Sequence, residues 1–325
     1  MENNYSNFFE NKKVIVTGGA GFIGSHICEE LVKLKANVIC LDNLSAGKVE
    51  NLKDFSDKDN FRLLVKDVSD NDDEMREAFK GADIVFNNAA SKKNICLINP
   101  HKDLEVNSGG TLNLLQLSME YGVKKFIHAS TGSVYGEPFI FPTTETHPFY
   151  PVSYYGVSKL GGERYVDVFH KLYGLDTTII RYFHVYGPRQ ESNEFGGVVS
   201  IFLRKISEGA SPVVFGDGTQ VRSFTWVKDL VNVNLLAAVN PVSNGKAYNA
   251  ASGISVTIND LAKNMIKILD AKNIVVEYGP PLIGDIMHFE VSNESVVKDL
   301  GATFNTDFWG TLEIAISDTK AFLNR

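Results

Sequence analysis

At 325 residues, 44% of them hydrophobic, the chain is long for one domain and short for three, with apolar material for one large core and a smaller one. A net charge of −7 with no lysine/arginine block excludes nucleic acid as the main partner, because phosphate backbones are held by clustered cations. Residues 1–10 are polar and acidic with no leader pattern, and no apolar run reaches a membrane span, so a cytoplasmic protein with no membrane partner is expected.

In chain order, apolar strands are predicted near 13–17, 37–41, 61–66, 83–87 and 124–130, with helical segments between them, among them 110–121. Strand alternating with helix specifies an α/β protein with a doubly wound parallel sheet. A helical run over 155–173 leads to one more strand at 177–183, so the sheet continues past the middle of the chain. Beyond about residue 187 the texture changes. Gly187-Pro188, Gly196-Gly197, Gly216-Asp217-Gly218 and Pro280-Pro281 interrupt short segments, as in a small, loop-rich lobe over the carboxyl ends of the strands. The expected division is 1–183 for a cofactor domain and 184–325 for a substrate lobe, with some chain exchanged and the ligand in the crevice between them. Cys28, Cys40 and Cys96 show neither CxxC nor metal spacing and are expected as reduced, mostly buried thiols, with no metal site.

The first strand runs into Thr17-Gly18-Gly19-Ala20-Gly21-Phe22-Ile23-Gly24, then an amphipathic segment with Ile23, Ile27, Leu31 and Leu34 on its apolar side. This order suits a dinucleotide cradle. Gly18 makes the tight turn, Gly21 lets the backbone approach a pyrophosphate, and Gly24 lets the helix pack closely while its first N–H groups face the phosphates. The second strand ends in Asp42, whose carboxylate can hold the adenosine ribose hydroxyls and repels a 2′-phosphate, which favours NAD over NADP; Lys48 could partly offset that repulsion.

Ala129-Ser130-Thr131-Gly132-Ser133 places hydroxyls just beyond the fifth strand, where an open parallel sheet puts its active site. Tyr155 and Lys159 stand four apart in a helical run and share one face. In isolation such a pair is a solvated helix face. After a glycine turn and a hydroxyl-rich strand end it has a chemical use: the Lys159 ammonium and a positive nicotinamide favour the Tyr155 phenolate and lower its pKa from about 10. Tyr155 then takes the proton from a substrate hydroxyl as hydride leaves for NAD. Thr131 hydrogen-bonds the same oxygen, and Lys159 reaches the nicotinamide ribose.

These residues resemble the extended short-chain dehydrogenases/reductases, specifically the NAD-dependent nucleotide-sugar epimerase/dehydratase group, over nearly the whole chain. The resemblance implies a Rossmann-type domain with a smaller C-terminal α/β substrate lobe, NAD as cofactor and a nucleotide-diphosphate sugar as substrate. Residues 17–26 resemble the cofactor turn, Phe22 and Ile23 included, and Asp42-Asn43 the ribose-binding pair. Asp67-Val68 resembles the adenine contact, Asn88-Ala89-Ala90 the nicotinamide-side loop, and Tyr155 with Lys159 the catalytic pair; cofactor contacts at Asn107, Ser130 and Tyr182 are also implied. Segments 181–190 and 215–224 resemble those that wrap the sugar nucleotide.

A nucleoside diphosphate asks for an arginine and a flat platform, for which Arg222 and Phe215 are candidates. Arg189 is either a further contact or a solvated loop charge, and His184 stands where the group usually has Asn. Asp285 ends a late loop that lacks the arginine the group often carries before its Gly-Asp. Lys92, Lys93 and Asn94 either serve near the sugar or are simply exposed. Helical runs 110–121 and 157–173 resemble the pair by which such proteins form a homodimer through a four-helix bundle, with Leu160, Val168 and Leu172 as apolar contacts; packing within the subunit is the alternative.

The resemblance implies that the reaction starts by oxidising C4 of the sugar. A 4,6-dehydratase carries Thr-Asp-Glu where this chain has Thr131-Gly132-Ser133, and decarboxylases tend to carry a Glu near Ser133. Without those acids, the chemistry left is removal of hydride and its return to the opposite face of a 4-keto sugar. The leading reading is an NAD-dependent nucleotide-sugar 4-epimerase. A C4 dehydrogenase and a 4,6-dehydratase using acids from another loop are the alternatives, and a non-catalytic NAD-binding protein the remote one. Phe289, four residues after Asp285, is expected to line the sugar and exclude a 2-acetamido group.

Overall fold

The structure is a computed structural model and describes residues 5, 7–91, 93–193, 196–282 and 286–323. Strands β1 (Lys13–Thr17), β2 (Asn37–Leu41), β3 (Phe61–Leu64), β4 (Ile84–Asn87), β5 (Lys125–Thr131) and β6 (Thr177–Tyr182) come first along the chain. Helices α1 (Phe22–Lys33), α2 (Asp73–Phe79), α3 (Lys93–Ile98), α4 (Pro100–Leu104), α5 (Thr111–Glu120) and α6 (Tyr154–Tyr173) connect them. Short strands β7 (Val185–Tyr186), β8 (Val213–Phe215), β9 (Val221–Ser223) and β10 (Thr225–Trp226) precede β11 (Lys246–Ala250), and β12 (Ser255–Thr257) and β13 (Glu277–Gly279) follow it. Helices α7 (Val198–Ser207), α8 (Val227–Val239), α9 (Ile258–Ile268), α10 (Glu294–Leu300) and α11 (Phe308–Leu323) complete the second half.

One seven-stranded parallel sheet runs β11-β6-β5-β4-β1-β2-β3. This is the doubly wound Rossmann order: the chain leaves β1 toward β2 and β3, then returns to β4 on the other side, so a crevice opens at the carboxyl ends of β1 and β4. Burial on both faces explains the continuous apolar runs. Val14 and Val16 face one core with Ile27, Leu31 and Val231, while Ile15 faces the other with Met75, Phe79 and Leu114.

Three expectations shift. β3 stops at Leu64, since Val65 is 55% exposed. The helix expected at 110–121 is the last part of a longer run in which a wide π-type turn, Glu105–Gly110, joins α4 to α5. Beyond residue 184 the chain returns to the large sheet, where β11 pairs with β6 in the register Tyr248↔Ile180. The remaining short strands form two-stranded ribbons, β7 with β10, β8 with β13 and β9 with β12.

Candidate active site

A groove of about 510 Å³ opens at the crevice. Gly18 turns the chain after β1 with φ +63°, and a Cβ there would stand 2.9 Å from the Ala89 backbone, so glycine is what lets the ends of β1 and β4 approach. Gly21, Phe22, Ile23 and Gly24 begin α1 along the groove, and the first N–H groups of a helix have no partner within it. Asp42, buried at the end of β2, accepts from Ala20 N–H at 2.9 Å and from Leu44 N–H at 2.8 Å. Burial pushes its carboxyl above the ordinary value, and these bonds only partly pull it back. Asn43 donates to Asp67 at 2.7 Å, and Lys102 reaches the same carboxylate at 3.4 Å. Burial pushes Asp67 up, but hydrogen bonds from Ser69 and Asn43 hold it below its ordinary value. Val68, Ala89 and Ala90 complete this wall, whereas Lys48 is exposed and does not line it.

At the other end, Thr131 and Tyr182 stand side by side on β5 and β6. Thr131 Oγ1 accepts from Ser133 N–H at 3.2 Å and also acts on the Tyr155 hydroxyl. Ser153 caps α6 by accepting from Gly156 N–H at 3.1 Å, which sets Tyr155 in the first turn. Ser130, Tyr155, Lys159 and Tyr182 all line the groove. Burial raises the Tyr155 phenol, Cys96 and Asp103 raise it further, and Thr131 lowers it. Burial pulls the Lys159 ammonium down to about 8, against the opposing charges of Glu163 and Asp103. The lowered phenol expected from the sequence is outweighed by desolvation, so the Lys159 ammonium alone does not deliver the phenolate and the charge of an oxidised nicotinamide is needed beside it.

Asn107 requires a correction. It is fully buried and does not line the groove. Its Oδ1 accepts from Ser91 N–H at 2.9 Å, and its Nδ2 donates to Asp103 at 2.7 Å and Ser158 at 3.0 Å, so it ties the wide turn to α6 beneath the groove. Lining residues that sequence reasoning missed include Ser45, Asn51, Lys66 and Lys102. The supports Asp103 and Glu163 were also missed, although Asp103, Asn107 and Thr111, like Lys159 and Glu163, recur at four-residue spacing.

Of the expected sugar-side residues, Phe215 and Arg222 lie in the ribbons and His184 just before β7, off the groove. Phe215 ends β8 with 40% exposure, and Arg222 is buried on β9, where its Nη1 donates to Val221 O at 2.9 Å. His184 is exposed at φ +31°, its ring 5.9 Å from Phe224 and 6.4 Å from Phe289. Arg189 lines the groove rather than the ribbons, paired with Glu29 of α1 at 2.5 Å, and is not a solvated loop charge. Phe289 is corrected from a sugar-lining position to a core one: it is 2% exposed and packs edge-on to Phe183 at 5.3 Å. Lys92 and Asp285, and the side chains of Lys93 and Asn94, lie outside the described residues. Cys28, Cys40 and Cys96 are buried thiols outside any disulfide among the described residues.

A glycine turn at the switch point, an acid closing β2 and a Tyr–Lys pair at the far strand ends give the groove the architecture of a short-chain dehydrogenase/reductase. A sequence profile of the NAD dependent epimerase/dehydratase family matches residues 14–251, and the chain belongs to that family. It is 33% identical over 293 residues to the UDP-glucose 4-epimerase of Mycolicibacterium smegmatis, covering 89% of this chain and 92% of that protein. A UDP-N-acetylglucosamine 4-epimerase from Methanobrevibacter ruminantium, solved with UDP-N-acetylmuramic acid, superimposes with a TM-score of 0.90 at 34% identity over 96% of this chain and 99% of that one. The UDP-glucose 4-epimerase of Thermotoga maritima, solved with UDP-glucose, gives 0.89 at 36% identity over 95% and 99%.

Proposed function

We propose that the protein is an NAD-dependent nucleotide-sugar 4-epimerase, which oxidises C4 and re-reduces the keto sugar from the other face. The observation that carries this reading is the strand end after Thr131. A Cβ on Gly132 would stand 2.3 Å from the Phe183 ring, and Ser133 carries no carboxyl, so the acids that dehydration or decarboxylation would use have no place there. Similarity to UDP-sugar 4-epimerases supports the same reading and a UDP-hexose substrate.

The groove suits the dinucleotide, since Asn88 Nδ2, buried on its wall, is a donor with no hydrogen-bond partner among the described residues. Gly18, Gly21, Phe22, Ile23 and Gly24 would hold the pyrophosphate, Asp42 and Asn43 the adenosine ribose, Asp67 and Val68 the adenine, and Ala89, Ala90, Ser130 and Tyr182 the nicotinamide end. Bound NAD supplies the hydride acceptor and a positive charge. Tyr155 takes the C4 hydroxyl proton, Thr131 hydrogen-bonds that oxygen, and Lys159 orients the ribose and favours the phenolate. Arg222, Phe215 and His184 would take the nucleotide sugar in a lobe of residues 184–325, with β11 returned to the domain of residues 1–183.

Incubation with UDP-, GDP-, CDP- and dTDP-hexoses, monitored by NMR and by NADH absorbance, tests the reading. Inverted C4 with no net NADH is expected. A 4-keto sugar with a C6 methyl would instead make it a dehydratase, and a keto sugar with accumulating NADH a dehydrogenase.

A homodimer belongs to the same proposal. Tyr154, Val157, Tyr165, Val168 and Leu172 are exposed on α6 at three-, four- and eight-residue spacings, forming one apolar stripe that a second copy would cover; Leu160 instead packs within the subunit. Val168→Glu combined with Leu172→Glu should give a monomer by light scattering, and a monomeric parent protein would refute the pairing. No helix among the described residues is long and apolar enough to cross a membrane. Buried cysteine thiols accord with a cytoplasmic setting.

A further inference from the structure

Glu163 and Arg181 form an ion pair whose side chains are 0% and 2% exposed. Arg181 Nε donates to Glu163 Oε1 at 2.9 Å and Nη2 to Oε2 at 2.8 Å, a bidentate fork. Its Nη1 donates to the Tyr135 hydroxyl at 2.7 Å, which donates in turn to Asn249 Oδ1 at 2.7 Å, so the pair links α6, β6, the turn after β5 and β11. Apolar side chains of similar volume could fill such a site at no cost in stability, so its position needs another explanation. Glu163 lies one helical turn beyond Lys159 on the same face of α6.

Lys159 is a nearly buried ammonium surrounded by few charges. Tyr155 shares its helix, and α3 and α4 contribute Cys96 and Asp103, whose Oδ1 already accepts from Asn107 Nδ2 and the Cys96 thiol. β5 contributes His128, held neutral because burial first, and then Lys159, pull it well below its ordinary value. β6 contributes Arg181 and Tyr182, and Tyr135 comes soon after β5. The wide turn contributes Glu105, which is exposed and paired with Lys102. Of these charges, Glu163 opposes the desolvation of Lys159 most strongly. Burial pushes the Glu163 carboxyl up, but Arg181 holds it below the ordinary value and hence ionised.

We propose that Glu163, fixed by Arg181, is a positioning residue whose carboxylate keeps the Lys159 side chain charged where it enters the groove. The catalytic consequence rests on the role given to Lys159 above. Selective ¹³Cε labelling of lysine reads its titration by NMR without any turnover, with Lys159→Met assigning the resonance. Glu163→Gln should lower the midpoint by about one pH unit and move the alkaline limb of kcat with it, leaving KM unchanged. Arg181→Lys, which keeps the charge, should leave the midpoint in place. If Glu163→Gln does not fold, Glu163→Met with Arg181→Met replaces the pair by apolar volume, and the midpoint should again fall, because Glu163 is the charge that most opposes the desolvation of Lys159. An unchanged midpoint in a folded variant overturns the proposal even in a working epimerase. A lowered midpoint in a protein that turns over no sugar nucleotide supports it and overturns the functional reading instead.

Discussion

The two sides of the site are built to different standards of rigidity. On the groove side, Asp42 is held by two backbone N–H groups, Asn107 by three hydrogen bonds, and the Tyr182 hydroxyl lies 2.9 Å from both Asn88 and Asn234. All project from the ends of paired parallel strands or from helices packed on them. On the other side, Phe215, Arg222 and His184 sit on or beside ribbons of two strands, with Phe215 40% exposed. On the proposed reading, the sheet carries preorganised chemistry and the ribbons the choice of sugar nucleotide.

The sharpest way to break that assignment is Tyr155→Phe. It should lower kcat by about 10² to 10⁴, the usual worth of a positioned acid–base group, while cofactor content measured on denatured protein stays at the parent level. Near-normal turnover would remove the chemistry from this end of the sheet. Arg222→Ala should act differently, raising KM for the nucleotide sugar roughly tenfold or more with kcat little changed, as for a lost hydrogen bond to a charged group worth about 1.5–3 kcal/mol. An equal fall in kcat would show that the ribbons take part in the transition state. Asp42→Asn keeps one acceptor for the turn but loses the charge, so the preference for NAD over NADP should narrow by about tenfold in binding titrations. An unchanged preference would mean that shape, not charge, excludes the phosphate.

Sequence legibility divides along the same line. The groove side was readable because parallel strands bury both faces and end where the proposed chemistry is, so Gly18, Asp42 and Thr131 could be placed from apolar runs and the polar or glycine residues at their carboxyl ends, and Tyr155 from its four-residue spacing to Lys159. The resemblance implies a cofactor contact at Asn107, and nothing in the local sequence shows that a wide turn directs it under the groove. Glu163 lay in plain view four residues from Lys159, but the partner that gives it meaning, Arg181, arrives only when β6 pairs with β5. On the ribbon side no period exists to read. Local sequence suggests a sugar contact at Phe289, because nothing local announces that it packs on Phe183, more than a hundred residues away in sequence.

The seam between the two sides offers the smallest effect. His26, on α1, is 8% exposed, and its Nε2 lies 3.0 Å from Pro188 O, so neutral imidazole donates there to the loop that carries Arg189. Burial first, and then the Arg189 charge, pull its pKa down to about 4 from the ordinary 6.5. Between those values the unfolded chain binds a proton that the folded protein refuses, so the contribution of His26 to stability is full above the upper value and is lost as pH falls toward the lower one. The slope is at most about 1.4 kcal/mol per pH unit. His26→Gln can keep a donor for Pro188 without titrating, so urea unfolding should show the stability of the parent protein falling faster than that of the variant below about pH 6.5. Parallel curves would mean that the proton is accommodated by local opening. The Pro188 loop would then move independently of α1, and the seam would belong with the ribbons rather than with the sheet.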